Sequence, residues 1–299
     1  MEQMYKRQPG ARPLLRGIGS QASADGAGVR IQRVPGFDSP DFSPFLMLDE
    51  IRSERADDYI AGFPPHPHRG IETLTYMLNG EFEHQDHLGN RGSVSSGGAQ
   101  WMRAGRGIIH SEMPGQAPGG MHGFQLWINM AAANKMDDPT WRDIQSAEIP
   151  ELALDGGESV SEGSLIRLIA GTWHIGGEER NAPLTDAAAE AAVADIRLAA
   201  GAEVLLPLPA AHSVLVYVYA GALVTERGTI PRGNMLLYGA GEALQLRAQA
   251  PTEGEGAGLL CLHGLPLREP VAHYGPFVMN SREEIEQALR DYNNGTLTD

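Results

Sequence analysis

Phe63-Pro64-Pro65-His66-Pro67-His68-Arg69-Gly70 runs straight into Ile71-Glu72-Thr73-Leu74-Thr75-Tyr76-Met77-Leu78, which alternates apolar and polar side chains and is closed by Asn79-Gly80. Alternation at period two marks a half-buried strand, and Asn-Gly is a strong hairpin-turn signal. On a strand, residues i and i+2 face the same side, so His66 and His68 present two imidazoles to one point. Further along, Gly105-Arg106-Gly107-Ile108-Ile109-His110-Ser111-Glu112 repeats the arrangement with His110 and Glu112. If the two strands face each other inside a barrel, four ligands converge on one metal. Either pair alone is a weak signal that chance supplies; the Gly-rich turns beside both, within one β-rich half, give them weight.

Outward from this region the strand-like pattern continues. Residues 120–130 give another strand through Phe124-Gln125-Leu126-Trp127-Ile128. It breaks between Ala131 and Pro150, where Asn134-Lys135-Met136-Asp137-Asp138-Pro139 has no apolar periodicity and reads as a linker. Strands resume at 165–170, 213–223, 235–238 and 258–262, and Tyr219-Ala220-Gly221 echoes Leu78-Asn79-Gly80, which suggests a duplicated β-domain. The expected division is 1–133, a linker at 134–150, and 151–299. Only one segment reads as firmly helical, at about 281–293. Ser281-x-x-Glu284 forms a capping box, Ile285, Ala288, Leu289 and Tyr292 recur at helical spacing, and Gly295 is placed to stop it. The fold class is therefore all-β with a C-terminal helix packed on a sheet.

Composition agrees. The 299 residues include 37 Gly and 20 Pro, scattered without period, which excludes collagen and low complexity and fits a turn-rich chain of short strands. Acidic residues outnumber basic ones 38 to 23, a net charge of −15 that repels phosphate backbones, so no direct nucleic-acid partner is expected. The longest apolar stretch, 213–224, is too short to cross a bilayer as a helix, so no membrane role is expected either. A lone cysteine, Cys261, and no charged leader before an apolar run point to a reducing compartment, the cytoplasm. The basic start (Lys6, Arg7, Arg12, Arg16) reads as a mobile arm.

The run His66-Pro67-His68-Arg69-Gly70-Ile71-Glu72-Thr73, together with Gln100-Trp101-Met102-x-Ala104-Gly105-Arg106-Gly107-Ile108-Ile109-His110-x-Glu112-Met113-Pro114, resembles the pirin family of the cupin superfamily. Phe45-Leu46-Met47-Leu48-Asp49-Glu50, His122-Gly123-Phe124-Gln125-Leu126-Trp127 and Tyr274-Gly275-Pro276-Phe277-Val278-Met279-Asn280 also match its pattern, so the resemblance covers about Arg16 to Asn294. It implies a bicupin: two jelly-roll β-barrel domains face to face, with metal in the N-terminal one only. It assigns the ligands to His66, His68, His110 and Glu112. Cupins in general more often take the carboxylate from the first motif, here Glu72, and strand parity leaves that alternative open; Glu72 otherwise would orient a histidine. Three neutral imidazoles and a carboxylate suit a borderline divalent transition metal, by resemblance Fe(II), with two positions open on an octahedral ion.

Some pirins open flavonols such as quercetin, so the resemblance implies a metal-dependent 2,3-dioxygenase acting on a small flavonol-like aromatic and dioxygen. Glu112 would be the base that takes the 3-hydroxyl proton, with ring cleavage and carbon monoxide release. Other pirins are described as regulators, which implies instead an iron-containing, redox-sensitive protein that binds a transcription factor or metabolic enzyme without turnover. A third reading is a scaffold whose metal staples strands. Other residues carry less. His84 and His87 fall where a solvated turn is expected, His122 lines the pocket or is structural, and Trp101 and Trp127 read as core more than as a substrate platform. Arg103 and Arg106 attract an anionic substrate or are simply paired, and Cys261 is a small buried hydrophobe. The C-terminal half, with His174, His212, His263 and His273, has no His-x-His pair and is expected to be metal-free.

Overall fold

Along Ile108–Gly115 the residues Ile108, His110, Glu112 and Pro114 are buried while their neighbours are more open, the period-two burial of a strand with one face inward. The same physics recurs through the computed structural model, which describes residues 5–37, 39–154, 163–250 and 256–299. The strands are all antiparallel among the described ladders, and the longest helix is Arg282–Asn294.

The chain divides into two compact units, neither continuous in sequence: Gln21–Glu148 with Leu267–Asp299, and Met1–Ser20 with Ile149–Pro266. This differs from the expected cut at 133 and 151. Each half gives up a terminal segment, because sheet edges and apolar faces choose partners without regard to distance along the chain. Leu14–Gly19 is hydrogen-bonded to Asn234–Tyr238 as the edge strand of the second unit's sheet. Arg12, 3% exposed, donates to the carbonyls of His212, Gly239 and Pro209. The basic start is thus a paired strand and an anchored guanidinium rather than a mobile arm.

The histidine-bearing unit has two sheets. A seven-stranded one runs in the order Thr140–Ile144, Ala99–Arg103, Ile71–Asn79, Met121–Asn129, Phe45–Ser53, Val29–Pro35, Gln21–Asp25. A four-stranded one runs Phe63–His68, Ile108–Gly115, Glu81–Asp86, Arg91–Ser95. Val29, Ile31, Ile51, Met77 and Met121 of the first pack against Phe82 and Val94 of the second, each contributing about 1.5–3 kcal/mol by leaving water. The Asn79-Gly80 signal marks a corner and not a hairpin. Ile71–Asn79 and Glu81–Asp86 lie in different sheets, and Gly80, at φ 104°, turns the chain from one to the other. The expected linker is likewise structured: Thr140–Ile144 pairs with Ala99–Arg103 as the sheet's edge.

In the second unit a seven-stranded sheet runs Leu14–Gly19, Asn234–Tyr238, Ser213–Ala220, Ala257–Gly264, Ala192–Leu198, Leu165–Ala170, Glu151–Ala153. Its core includes Trp173, Val216, Leu236, Leu244 and Cys261. Burial pushes the Cys261 thiol up to about 12, so it stays a thiol and packs as a hydrophobe, as the sequence indicated.

The helix begins at the expected capping box, with Glu284 N–H donating to Ser281 Oγ and Ser281 N–H to the Glu284 carboxylate, and ends on Gly295 at φ 73°. Ile285 and Ala288 pack on Phe277, Met279 and Leu297, so the helix belongs to the histidine-bearing unit. No helix among the described residues is long and apolar enough to cross a membrane.

Candidate metal centre

His66 and His68 sit on Phe63–His68, and His110 faces His66 directly across the ladder to Ile108–Gly115. One ring nitrogen from each of His66, His68 and His110 lies within 4.8 Å of the others. Each of these rings has its Nδ1 engaged elsewhere: His66 with the Pro64 carbonyl at 2.9 Å, His68 with the Pro276 carbonyl at 3.3 Å, His110 with His84 Nδ1 at 3.3 Å. Nδ1–H donation to the two carbonyls leaves Nε2 of His66 and His68 as a bare lone pair. Burial holds His68 and His110 well below the usual imidazole range, so both rings are neutral donors. His110 Nε2 is buried with no hydrogen-bond partner among the described residues, an orphan that a cation would satisfy. The donor set therefore fits a borderline divalent metal.

Glu112 is not part of the cluster that meets within 4.8 Å, although it lines the same cavity as His66 and His68. Its carboxylate, 4% exposed, takes hydrogen bonds from Gln125 Nε2 at 3.2 Å and from Thr75 Oγ1, also at 3.2 Å. Thr75 Oγ1 also lies against Gln125 Oε1, and its single proton serves one acceptor at a time. Burial raises the Glu112 carboxyl above its ordinary range, opposed by His66, Thr75 and Gln125.

Glu72 is elsewhere. It is fully buried, accepting from Trp101 Nε1 at 2.9 Å and Arg103 Nε at 2.7 Å, and does not line the cavity. Parity along one strand could not show this, because the chain reverses between sheets after Gly70. Arg103 is thereby spent on Glu72, and Arg106 on Asp138. His122 pairs with Glu50 at 2.8 Å. The tryptophans divide: Trp101 is core, while Trp127 lines the cavity with its ring edge-on to His68 at 5.2 Å. His84 is no turn residue. It is completely buried on Glu81–Asp86, while His87 falls in the turn that follows.

The cavity, of about 680 Å³, has apolar walls from Phe37, Met47, Ile51, Phe63 and Trp127. Phe37 stacks on His273 with ring centroids 4.2 Å apart. Arg33 also lines the cavity, clamped by Asp49 at 2.6 Å and Asp25 at 2.5 Å. Gln125, one of the residues the sequence reading did not single out, alternates with Trp127 on a quoted motif; period two carried that signal. Pro276 and His273 offered no such signal, being brought in by tertiary contact.

Antiparallel jelly-roll units, one of them presenting three inward imidazoles beside a ligand-sized cavity, define a two-domain cupin with a metal-competent first motif. The Pirin family model matches residues 28–128, and the model of the pirin C-terminal cupin domain matches residues 193–298. The chain belongs to the pirin family. It is 49% identical over 284 residues to a Vibrio cholerae protein provisionally named a quercetin 2,3-dioxygenase, covering 95% of this chain and 97% of that one. Human pirin is 34% identical over 290 residues, covering 92% and 90%. The crystal structure of a quercetin 2,3-dioxygenase from Acinetobacter baumannii superposes with a TM-score of 0.84 at 31% identity, covering 96% of this chain and 98% of that one.

Proposed function

We propose that the protein is a metal-dependent dioxygenase that opens flavonols such as quercetin at the 2,3-bond, releasing carbon monoxide. The observation that carries this is the convergence of three imidazoles, with Glu112 lining the same cavity, whose volume lies within the roughly 300–1,000 Å³ of small-molecule sites. His66, His68 and His110 hold the metal, with Glu112 as the fourth ligand. A divalent transition metal bound there, Fe(II) in our reading, supplies Lewis acidity and a one-electron partner for dioxygen. The chain's own groups do the rest. Glu112 takes the proton of the substrate's 3-hydroxyl at a carboxylate oxygen. Gln125 and Thr75 hold that carboxylate in place. Phe37, Phe63 and Trp127 sandwich the flat rings and exclude water. The names of the Vibrio and Acinetobacter relatives support the same substrate class.

Iron-loaded protein incubated with quercetin in air is expected to bleach the flavonol absorbance, and a His66→Ala, His110→Ala variant is not. Equal rates in both, with metal bound to the first alone, would remove this reading.

A further inference from the structure

His84 has no part in the mechanism above, yet it is completely buried against a candidate ligand. Its ring lies 5.0 Å from that of His110 on one side and 4.9 Å from Trp141 on the other, centroid to centroid. The space for Trp141 is built into the sheet. Gly92 is the cross-strand partner of His84, and a Cβ there would stand 2.0 Å from Asp143 Oδ2 and 2.6 Å from the Trp141 ring. A device so closely fitted around one imidazole calls for an explanation in terms of its protons.

A neutral imidazole carries one N–H. If His110 gives its Nε2 lone pair to a metal, its proton is on Nδ1. The Nδ1 atoms of His110 and His84 are 3.3 Å apart and can share only one proton, so His84 Nδ1 must accept. His84 then carries its own proton on Nε2, which has no partner meeting hydrogen-bond geometry among the described residues. The Gln100 side chain adjoins His84. Its amide nitrogen donates to Asp143 Oδ1 at 2.6 Å, so its amide oxygen is the end not engaged by that carboxylate.

We propose that His84 is a positioning residue of the metal centre: an imidazole whose bare Nδ1 accepts the Nδ1 proton of His110 and so fixes the tautomer that leaves His110 Nε2 for a metal. This rests on the metal reading given above. The chemical sense is moderation. Metal-bound histidines commonly lean on a carboxylate, which strengthens the donor nitrogen. Here His66 and His68 lean on carbonyls and His110 on an imidazole, so none of the three has its Nδ1 on a carboxylate.

Two measurements test it on the full chain. In zinc-loaded protein with 15N-labelled histidine, long-range 1H–15N spectra are expected to show His84 protonated at Nε2 and bare at Nδ1; the opposite tautomer overturns the proposal. Cobalt(II) titration with His84→Leu is expected to weaken binding about 10- to 100-fold and shift the visible ligand-field bands, while His84→Asn, which keeps an acceptor near the Nδ1 position, restores both. A folded His84→Leu with unchanged affinity and spectrum overturns the proposal and leaves the metal reading standing. Failure of the wild-type chain to bind zinc or cobalt overturns both.

Discussion

Lys135 is 1% exposed, and its ammonium spends all three protons: on the Gly70 carbonyl at 2.7 Å, Asn129 Oδ1 at 2.7 Å and the Val278 carbonyl at 2.9 Å. Those acceptors belong to the turn after His68, the end of the Met121–Asn129 strand, and the C-terminal segment. Lys135→Met keeps the aliphatic volume but strands three buried acceptors, so a loss of about 3 kcal/mol is expected in chemical unfolding. A loss under a quarter of that would mean water replaces the ammonium. Lys135 lies in the stretch read from sequence as a linker. That stretch lacks apolar periodicity because its buried residue is a cation meeting carbonyls, which no hydropathy pattern reveals. The clustering of His66, His68 and His110 was legible for the opposite reason: residues two apart share a face of a strand, and His66 and His110 are cross-strand partners. The partners that fix their tautomers were not, since a carbonyl 208 positions away from His68 leaves no trace in the local sequence.

Elements were legible where signals are short-range. The capping box and Gly295 gave the helix within one residue at each end, because caps involve neighbours within a few positions. Asn79-Gly80 gave a turn correctly and its type wrongly: the dipeptide reports positive φ at Gly80, and whether the flanking strands then pair is settled by the sheets. Gly70, which joins the histidine-bearing strand Phe63–His68 to Ile71–Asn79, is a harder constraint. It lies at φ 81°, and a Cβ would stand 2.1 Å from the Val278 carbonyl. Gly70→Ala is expected to cost about 2–4 kcal/mol and to weaken metal binding as well, because the displaced segment carries Pro276. Calorimetric unfolding with and without zinc measures both effects; stability lost without affinity would show that the Pro276 contact survives.

Across the whole molecule each unit buries a pair of imidazoles with their Nδ1 atoms facing. In the second unit, His263 is 1% exposed, with Nδ1 2.9 Å from His212 Nδ1, and His212 reaches Glu190 at 3.3 Å. Burial, His212 and Arg12 push His263 down to about 3, and burial also lowers His212 against the pull of Glu190. A folded-state value below the unfolded one means that the unfolded chain takes up the proton first. The stability is complete above about pH 6.5 and falls as pH drops through that value toward 3, by about 2 kcal/mol at pH 5 from His263 alone. His263→Leu is expected to flatten that part of the slope in denaturant titrations at pH 5 and 8; an unchanged slope would place the proton uptake elsewhere. The net charge of −15 and the two-domain all-β class were open to reading from composition and pattern, whereas the exchange of terminal segments between halves was not.

That exchange orders events in time. During synthesis His66, His68 and His110 all exist long before Pro276, so a nascent chain can display the imidazoles while the His68 ring still lacks the carbonyl that sets its proton. If the three rings hold a cation as proposed, the full arrangement around His68 is complete only once the last portion of the polypeptide has folded onto it.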